Sequence, residues 1–192
     1  MLFSACAHQP RDWENQFDAQ QLNLWNQHFE SLRAYPRWQA QGRFAARNGE
    51  DAWSGSLLWQ QKDEHYLIRL SGPLGQGGML LEGDEELATI TLSRNRQYEA
   101  RSANELVRQY AGLRLPLEEL RHWLLGVPAP WGGYAITGLD QSGRIERLTQ
   151  RGWDVQFSAY QSLENTSVPG KIRLQHPDYQ VRLIIQSWQA GG

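Results

Sequence analysis

Residues 53–70 read WSGSLLWQQKDEHYLIRL. Trp53, Gly55, Leu57 and Trp59 alternate with Ser54, Ser56 and Gln60; past a turn at Lys62-Asp63, Tyr66, Ile68 and Leu70 alternate with His65, Arg69 and Ser71. Side chains of a strand point alternately to its two faces, so this period of two predicts an antiparallel hairpin, apolar on one face and wet on the other. The same phase extends upstream, where Ala40, Gly42, Phe44 and Ala46 oppose Gln41, Arg43 and Arg47 ahead of an Asn48-Gly49 turn. It continues downstream through Met79–Glu82, Leu87–Ser93 and Gln97–Ala100, and resumes at Tyr134–Leu139, Arg144–Thr149, Trp153–Ala159, around Ile172 and Leu174, and at Tyr179–Ile185.

Three segments break this period. From Asp12 to about Ala34, Leu22, Trp25, Phe29 and Leu32 recur at helical spacing, with Asp12 as the expected N-cap and Pro36 as the stop. Near 103–111, Leu106, Val107 and Tyr110 share a face after Ser102, with Glu105 at capping-box distance and Gly112 as terminator. Near 116–125, Leu117, Leu120, Trp123 and Leu124 share another, with Pro116, Glu118 and Glu119 in the first turn and Gly126 at the end. About ten or eleven short strands with an inserted helical pair predict a mainly β fold: an incomplete, half-open antiparallel barrel enclosing an apolar cavity under a helical lid. Pattern alone leaves open whether the helices cover a cavity or complete an ordinary sandwich core. Residues 12–189 are read as one domain behind a linker over 1–11.

On the inward phase, Phe44, Leu57, Ile68, Leu70, Ile90, Trp123, Trp153 and Phe157 are the candidate cavity-lining residues. Between two strands lies SGPLGQGG, residues 71–78, which places Pro73, Leu74 and Gly75 at a loop tip where Asn, Asp or Ser is usual. From its neighbours alone, Leu74 either projects from the hairpin or folds back beneath it.

Bulk properties narrow the function classes. The chain has 192 residues, a formal net charge of −2 and nine Trp; its lysines are Lys62 and Lys171, and its arginines are scattered along the sequence, so nucleic acid is not an expected partner. The five His stand in separate segments with no second ligand at metal spacing, and no G-x-S-x-G, H-E-x-x-H, P-loop or G-x-G-x-x-G occurs. No metal, cofactor or catalytic residue is expected, and binding is favoured over enzymatic turnover. The single cysteine, Cys6, ends LFSAC at 2–6, which is similar to the end of a bacterial lipoprotein signal, although the charged and apolar parts of such a signal do not precede it. The expectation is a chain that begins inside a longer signal or has been shortened; a small-residue Cys arising by chance is the other reading. No stretch of about 18 apolar residues follows.

LLWQQKDEHYLIRLSGPLG at 57–75, LPLEELRHWLLGVPAP at 115–130, GWDVQFSAY at 152–160 and the terminal RLIIQSW occur in the order and with gaps similar to those of the LolB family. The resemblance spans about Trp38 to Trp188. It implies an outer-membrane receptor that accepts acylated lipoproteins from the periplasmic carrier LolA and inserts them into the outer membrane without nucleotide hydrolysis. It further implies an acylated Cys6, with Ala7 compatible with outer-membrane sorting, a Pro73-Leu74-Gly75 loop that assists insertion, and a monomer facing the periplasm. The Gln76-Gly77-Gly78 tract departs from the family pattern. Two other readings stand beside it: a lipocalin-like periplasmic binder of fatty acids or other small hydrophobic ligands, and an esterase, for which no Ser, His and acid set is recognisable.

Overall fold

The computed structural model describes residues 12–49, 51–72, 78–92, 96–112 and 114–191. Cys6, Pro73, Leu74 and Gly75 lie outside the described residues. The long hairpin predicted from 53–70 is present as β2 (Asp51–Lys62) and β3 (His65–Ser71), with β1 (Arg37–Asn48) on the other side of β2. Positive φ at Gly49 and Asp63 makes the two turns. The first half of the sheet continues outward through β4 (Gly78–Gly83), β5 (Ala88–Leu92) and β6 (Arg96–Ala100). The second half comprises β7 (Tyr134–Leu139), β8 (Ile145–Gln150), β9 (Trp153–Ser158), β12 (Lys171–His176) and β13 (Tyr179–Ala190), while β10 (Gln161–Leu163) and β11 (Thr166–Val168) form a separate ribbon.

All eleven strands of the main sheet pair antiparallel, in the order β6-β5-β4-β3-β2-β1-β13-β12-β9-β8-β7. The two long strands β1 and β13 join its halves across a bulge at Gln41/Gly42. The sheet does not close, and β6 and β7 are its edges, in agreement with the half-open barrel expected from the strand phases. One face is consistently buried: Leu57 pairs with Leu70, Trp59 with Ile68, Ile68 with Leu81 and Leu81 with Ile90, so a ladder of apolar contacts runs from strand to strand.

The N-terminal helix differs from the expected one. A 3₁₀ turn, Asp12–Gln16, precedes α1 (Ala19–Arg33), and Asp18 rather than Asp12 is the N-cap. Asp18 accepts from Gln21 N at 2.8 Å while the Gln21 side chain accepts from Asp18 N, a reciprocal capping box not available to Asp12. Trp25 and Leu32 are buried as anticipated, and Ser31 Oγ meets Thr166 Oγ1 on β11 at 2.6 Å.

The inserted pair forms α2 (Ala103–Ala111) and α3 (Leu117–Leu124), close to the expected bounds. Ser102 caps α2 by accepting from Asn104 N. Its hydroxyl then donates to Glu118 of α3 rather than forming the expected box with Glu105. Asn104 Oδ1 accepts from Leu117 N at 2.7 Å, so a residue of α2 caps α3 and the two helices behave as one unit.

Two glycines permit the sheet's curvature by close approach. A Cβ on Gly55 would sit 1.9 Å from Ser71 O, and one on Gly42 would sit 2.1 Å from Ile184 O. Gly55→Ala is therefore expected to destabilise the fold by about 1–3 kcal/mol, the range for overpacking, seen as a lower urea midpoint. An unchanged midpoint would show that β3 can withdraw from β2 at no cost.

Candidate functional site

The lid helices lie over the apolar face of the sheet. Leu106, Val107, Leu120, Trp123 and Leu124 are buried in one apolar cluster with the inward residues of both halves of the sheet. Trp123 packs 6.5 Å from Trp153, centroid to centroid, and is fully enclosed. Burying such surfaces is favourable by roughly 25 cal/mol per Å² and has no directional requirement, so the same face would accept any apolar group of suitable shape.

Polar contacts hold the lid at both sides. Gln150 of β8 is buried; its Oε1 accepts from Trp123 Nε1 at 2.9 Å and Ala129 N at 3.0 Å. Its Nε2 donates to the carbonyls of Ala129, Trp131 and Gly132. The buried Glu119 forms an ion pair with Arg151, Nε to Oε1 2.9 Å, and accepts from Trp131 Nε1 at 3.3 Å. On the opposite flank, Arg121 donates to Glu64 Oε2 at 3.1 Å and Glu85 Oε1 at 2.9 Å, tying α3 to the β2–β3 and β4–β5 turns. Arg121 Nε also donates to His122 Nε2, an acceptor because burial and the adjacent guanidinium lower the imidazole pKa to about 4. Both carboxylates of the Arg121 latch are mostly exposed, and exposed pairs contribute at most about 1 kcal/mol each. Gln150 is thus the firm attachment and Arg121 the releasable one.

Two open volumes flank the lid. A cavity of about 340 Å³ lies between α3 and the first half of the sheet, with Trp59, Tyr66, Ile68, Leu117 and Trp131 as its apolar wall and Arg101, Glu118 and Arg121 among its polar residues. A second, of about 560 Å³, separates α1 from the segment after α3, lined by Trp25, Phe29, Leu32, Leu125, Val127 and Pro128 among others. Burial and the nearby Asp84 push the Tyr66 hydroxyl up to about 12, so it stays protonated.

The structure places the eight sequence-derived lining candidates together on or against the apolar face. Leu57, Ile68, Ile90, Trp123, Trp153 and Phe157 are buried, whereas Phe44 and Leu70 are half-buried and pack against the same cluster. Of the eight, Ile68 borders the 340 Å³ cavity; Leu57, Ile90, Trp123, Trp153 and Phe157 are packed into the core, and Phe44 and Leu70 lie against it. Trp59 and Tyr66 were in phase with Leu57 and Ile68 and could have been chosen on that ground. Trp131 lies beyond α3, where no periodicity marks it. Among the described residues there is no group of three His, Cys, Asp or Glu that could hold a metal ion, and no helix long and apolar enough to cross a membrane.

The family model described as outer membrane lipoprotein LolB matches residues 36–188. The chain belongs to the LolB family. An outer-membrane lipoprotein LolB from Nitrosococcus oceani is 38% identical over 167 residues, which cover 87% of this chain and 83% of that protein. One from Pseudomonas aeruginosa is 36% identical over 176 residues, covering 92% and 84%. Among solved structures, a putative outer membrane lipoprotein-sorting protein domain from Vibrio parahaemolyticus superposes with a TM-score of 0.55 at 10% identity, covering 87% of this chain and 90% of that one. A LolA superfamily protein from Nitrosomonas europaea gives 0.50 at 10% identity, covering 89% and 93%. At such identities these structures establish a shared fold, an open sheet with helices against it, and the LolB family assignment rests on the sequence match.

Proposed function

We propose that this LolB-family chain is an outer-membrane lipoprotein receptor: it accepts the acyl chains of lipoproteins from the periplasmic carrier LolA, holds them between lid and sheet, and passes them to the outer membrane. It is not an enzyme. The observation that carries the reading is the apolar face of an unclosed sheet, covered by a two-helix lid whose own side chains occupy the space that cargo would need. Exposing acyl chains to water costs roughly 0.8 kcal/mol per CH₂, so a lipoprotein cannot cross an aqueous compartment unshielded. An apolar interior that exchanges lid side chains for acyl chains shields them without external energy, because one set of apolar contacts replaces another. The bilayer is the final, more favourable solvent.

In this reading Phe44, Leu57, Ile68, Leu70, Ile90, Trp123, Trp153 and Phe157, joined by Trp59 and Leu117, contact the acyl chains once the lid lifts at the Arg121 side. Cys6 carries the chain's own anchor, and Pro73-Leu74-Gly75 meets the leaflet. Burying one Leu contributes roughly 1.5–3 kcal/mol, enough to bias a cavity mouth toward lipid and too little to anchor a protein. The chain works as a monomer.

The test is cargo exchange. LolA loaded with a labelled lipoprotein is mixed with this chain, and the label is expected to co-purify with it; a lipocalin-like binder would take free fatty acid but leave the carrier loaded. Leu74→Glu is expected to retain cargo capture while reducing incorporation into liposomes at least severalfold. Normal incorporation by that variant would remove the loop from the mechanism.

A further inference from the structure

The arginines that are scattered along the sequence meet on the outer face of the sheet. Strand registers place Arg147 opposite Gln156, Gln156 opposite Arg173, Arg173 opposite Arg182 and Arg182 opposite Ala45, one continuous row from β8 to β1. The adjacent row carries Lys171 opposite Ile184 and Ile184 opposite Arg43, and the row on the other side sets Gln180 opposite Arg47. The five arginines are exposed and Lys171 is half-buried. The side chains of these six make no hydrogen bond or ion pair with another described residue. Asp154, on the Arg47 side, is the carboxylate within these rows, and Glu146 stands beside Arg147 at an irregularity of β8. The strip is strongly cationic on a chain whose net charge is −2.

Arg173 and Arg182 are directly cross-strand, where like charges oppose folding. Stability alone would favour an acid at one of those positions. A groove of about 600 Å³ lies over this region; Arg47, Arg173 and Arg182 line it together with Ala45, Ala52, Ser54, Trp53 of the inward phase and the single carboxylate Asp154. The exposed guanidinium groups, set beside small side chains such as Ala45, Ala52 and Ser54, can form bidentate contacts with phosphate oxygens.

We propose that this outer strip docks the protein, back down, on the anionic headgroups of a phospholipid leaflet. The rows contain no aromatic residue and one exposed large apolar residue, Ile184, whereas protein interfaces are built around aromatic and apolar anchors. Cations alternating with small and amide side chains suit a laterally mobile polyanion that imposes no fixed shape. Five adjacent strands at roughly 4.8 Å spacing make a strip about 19 Å wide, enough to meet several headgroups at once. Docking there leaves the lid open to cargo arriving from the aqueous compartment; delivery through a cavity mouth biased toward lipid then requires release from this docked state, which reversible, salt-sensitive contacts permit. The inference concerns orientation at the membrane and does not depend on the cargo assigned above.

The test is sedimentation of the full chain, kept unacylated, with vesicles of pure phosphatidylcholine or of phosphatidylcholine containing phosphatidylglycerol. The wild type is expected to bind the anionic vesicles selectively and to be released by high salt, because the contacts are screened. Each cation near such a surface contributes about fivefold, so R147Q/R173Q/R182Q is expected to weaken binding on the order of a hundredfold. Its melting temperature should be equal to or above that of wild type, which separates lost binding from lost folding. R96Q/R108Q/R114Q, the same charge change at exposed positions elsewhere, is expected to bind like wild type. The proposal is overturned if the wild type ignores phosphatidylglycerol, or if both triple variants weaken binding alike. It is also overturned if the first triple variant keeps vesicle binding but loses capture of cargo from LolA, which would assign the strip to an acidic protein.

Discussion

Replacing Trp123 by alanine is expected to lower the unfolding free energy by about 3–5 kcal/mol, the range for removing a large buried aromatic. Trp123 has no solvent exposure, contacts Trp153 and gives its indole N–H to Gln150, so truncation removes both packing and a buried hydrogen bond. The variant carries a second expected signature. Volume vacated between lid and sheet becomes available to ligand, so a solvatochromic hydrophobic dye should bind more strongly to Trp123→Ala than to wild type at a temperature where both are folded. Urea denaturation and dye titration check the two parts. A loss below about 1 kcal/mol, outside the range for such truncations, would mean that α3 is not packed as described.

Replacing Gln150 by leucine is expected to cost about 2–6 kcal/mol, although the two side chains are similar in size. Leucine leaves Trp123 Nε1–H and Ala129 N–H buried without acceptors, each costing about 1–3 kcal/mol, and strips the carbonyls of Ala129, Trp131 and Gly132 of their common donor. Because Trp123 and Gln150 share a bond, the double variant should be less destabilised than the sum of the single variants, with a coupling of about 0.5–3 kcal/mol. Additive losses in that cycle would indicate that water substitutes for the amide. Amide hydrogen exchange should also quicken through residues 117–132 in Gln150→Leu and not in β1–β2, since the side chain fastens that segment to β8.

How far the site could be read from the chain follows from the range of the forces involved. Alternation at 53–70 reported the apolar face of β2 and β3 because strand geometry fixes which side chains share a side, whatever the partner strand is. Leu106, Val107, Leu120 and Trp123 declared their helix faces in the same way. The start of α1 was misplaced because Asp12 and Asp18 are both competent caps; the reciprocal bond with Gln21 favours the second. Trp131, in the wall of the cavity beside Arg121, has no local pattern at all. Gln150 follows the strand predicted over Arg144–Thr149 with no pattern to mark it, and its five contacts to Trp123 and the segment after α3 exist only once β8 lies against that segment.

The amino-acid sequence by itself determined an antiparallel, mainly β chain with one apolar face, a two-helix insertion and the LolB resemblance, because periodicity, caps and turns are short-range properties. Tertiary structure alone decided that the sheet's interior is filled by the lid's own residues, that Arg121 meets Glu64 and Glu85, and that Arg147, Arg173 and Arg182 fall in one row. Those contacts depend on pairings between segments tens to more than a hundred residues apart, and no local pattern encodes which distant strand will lie beside which.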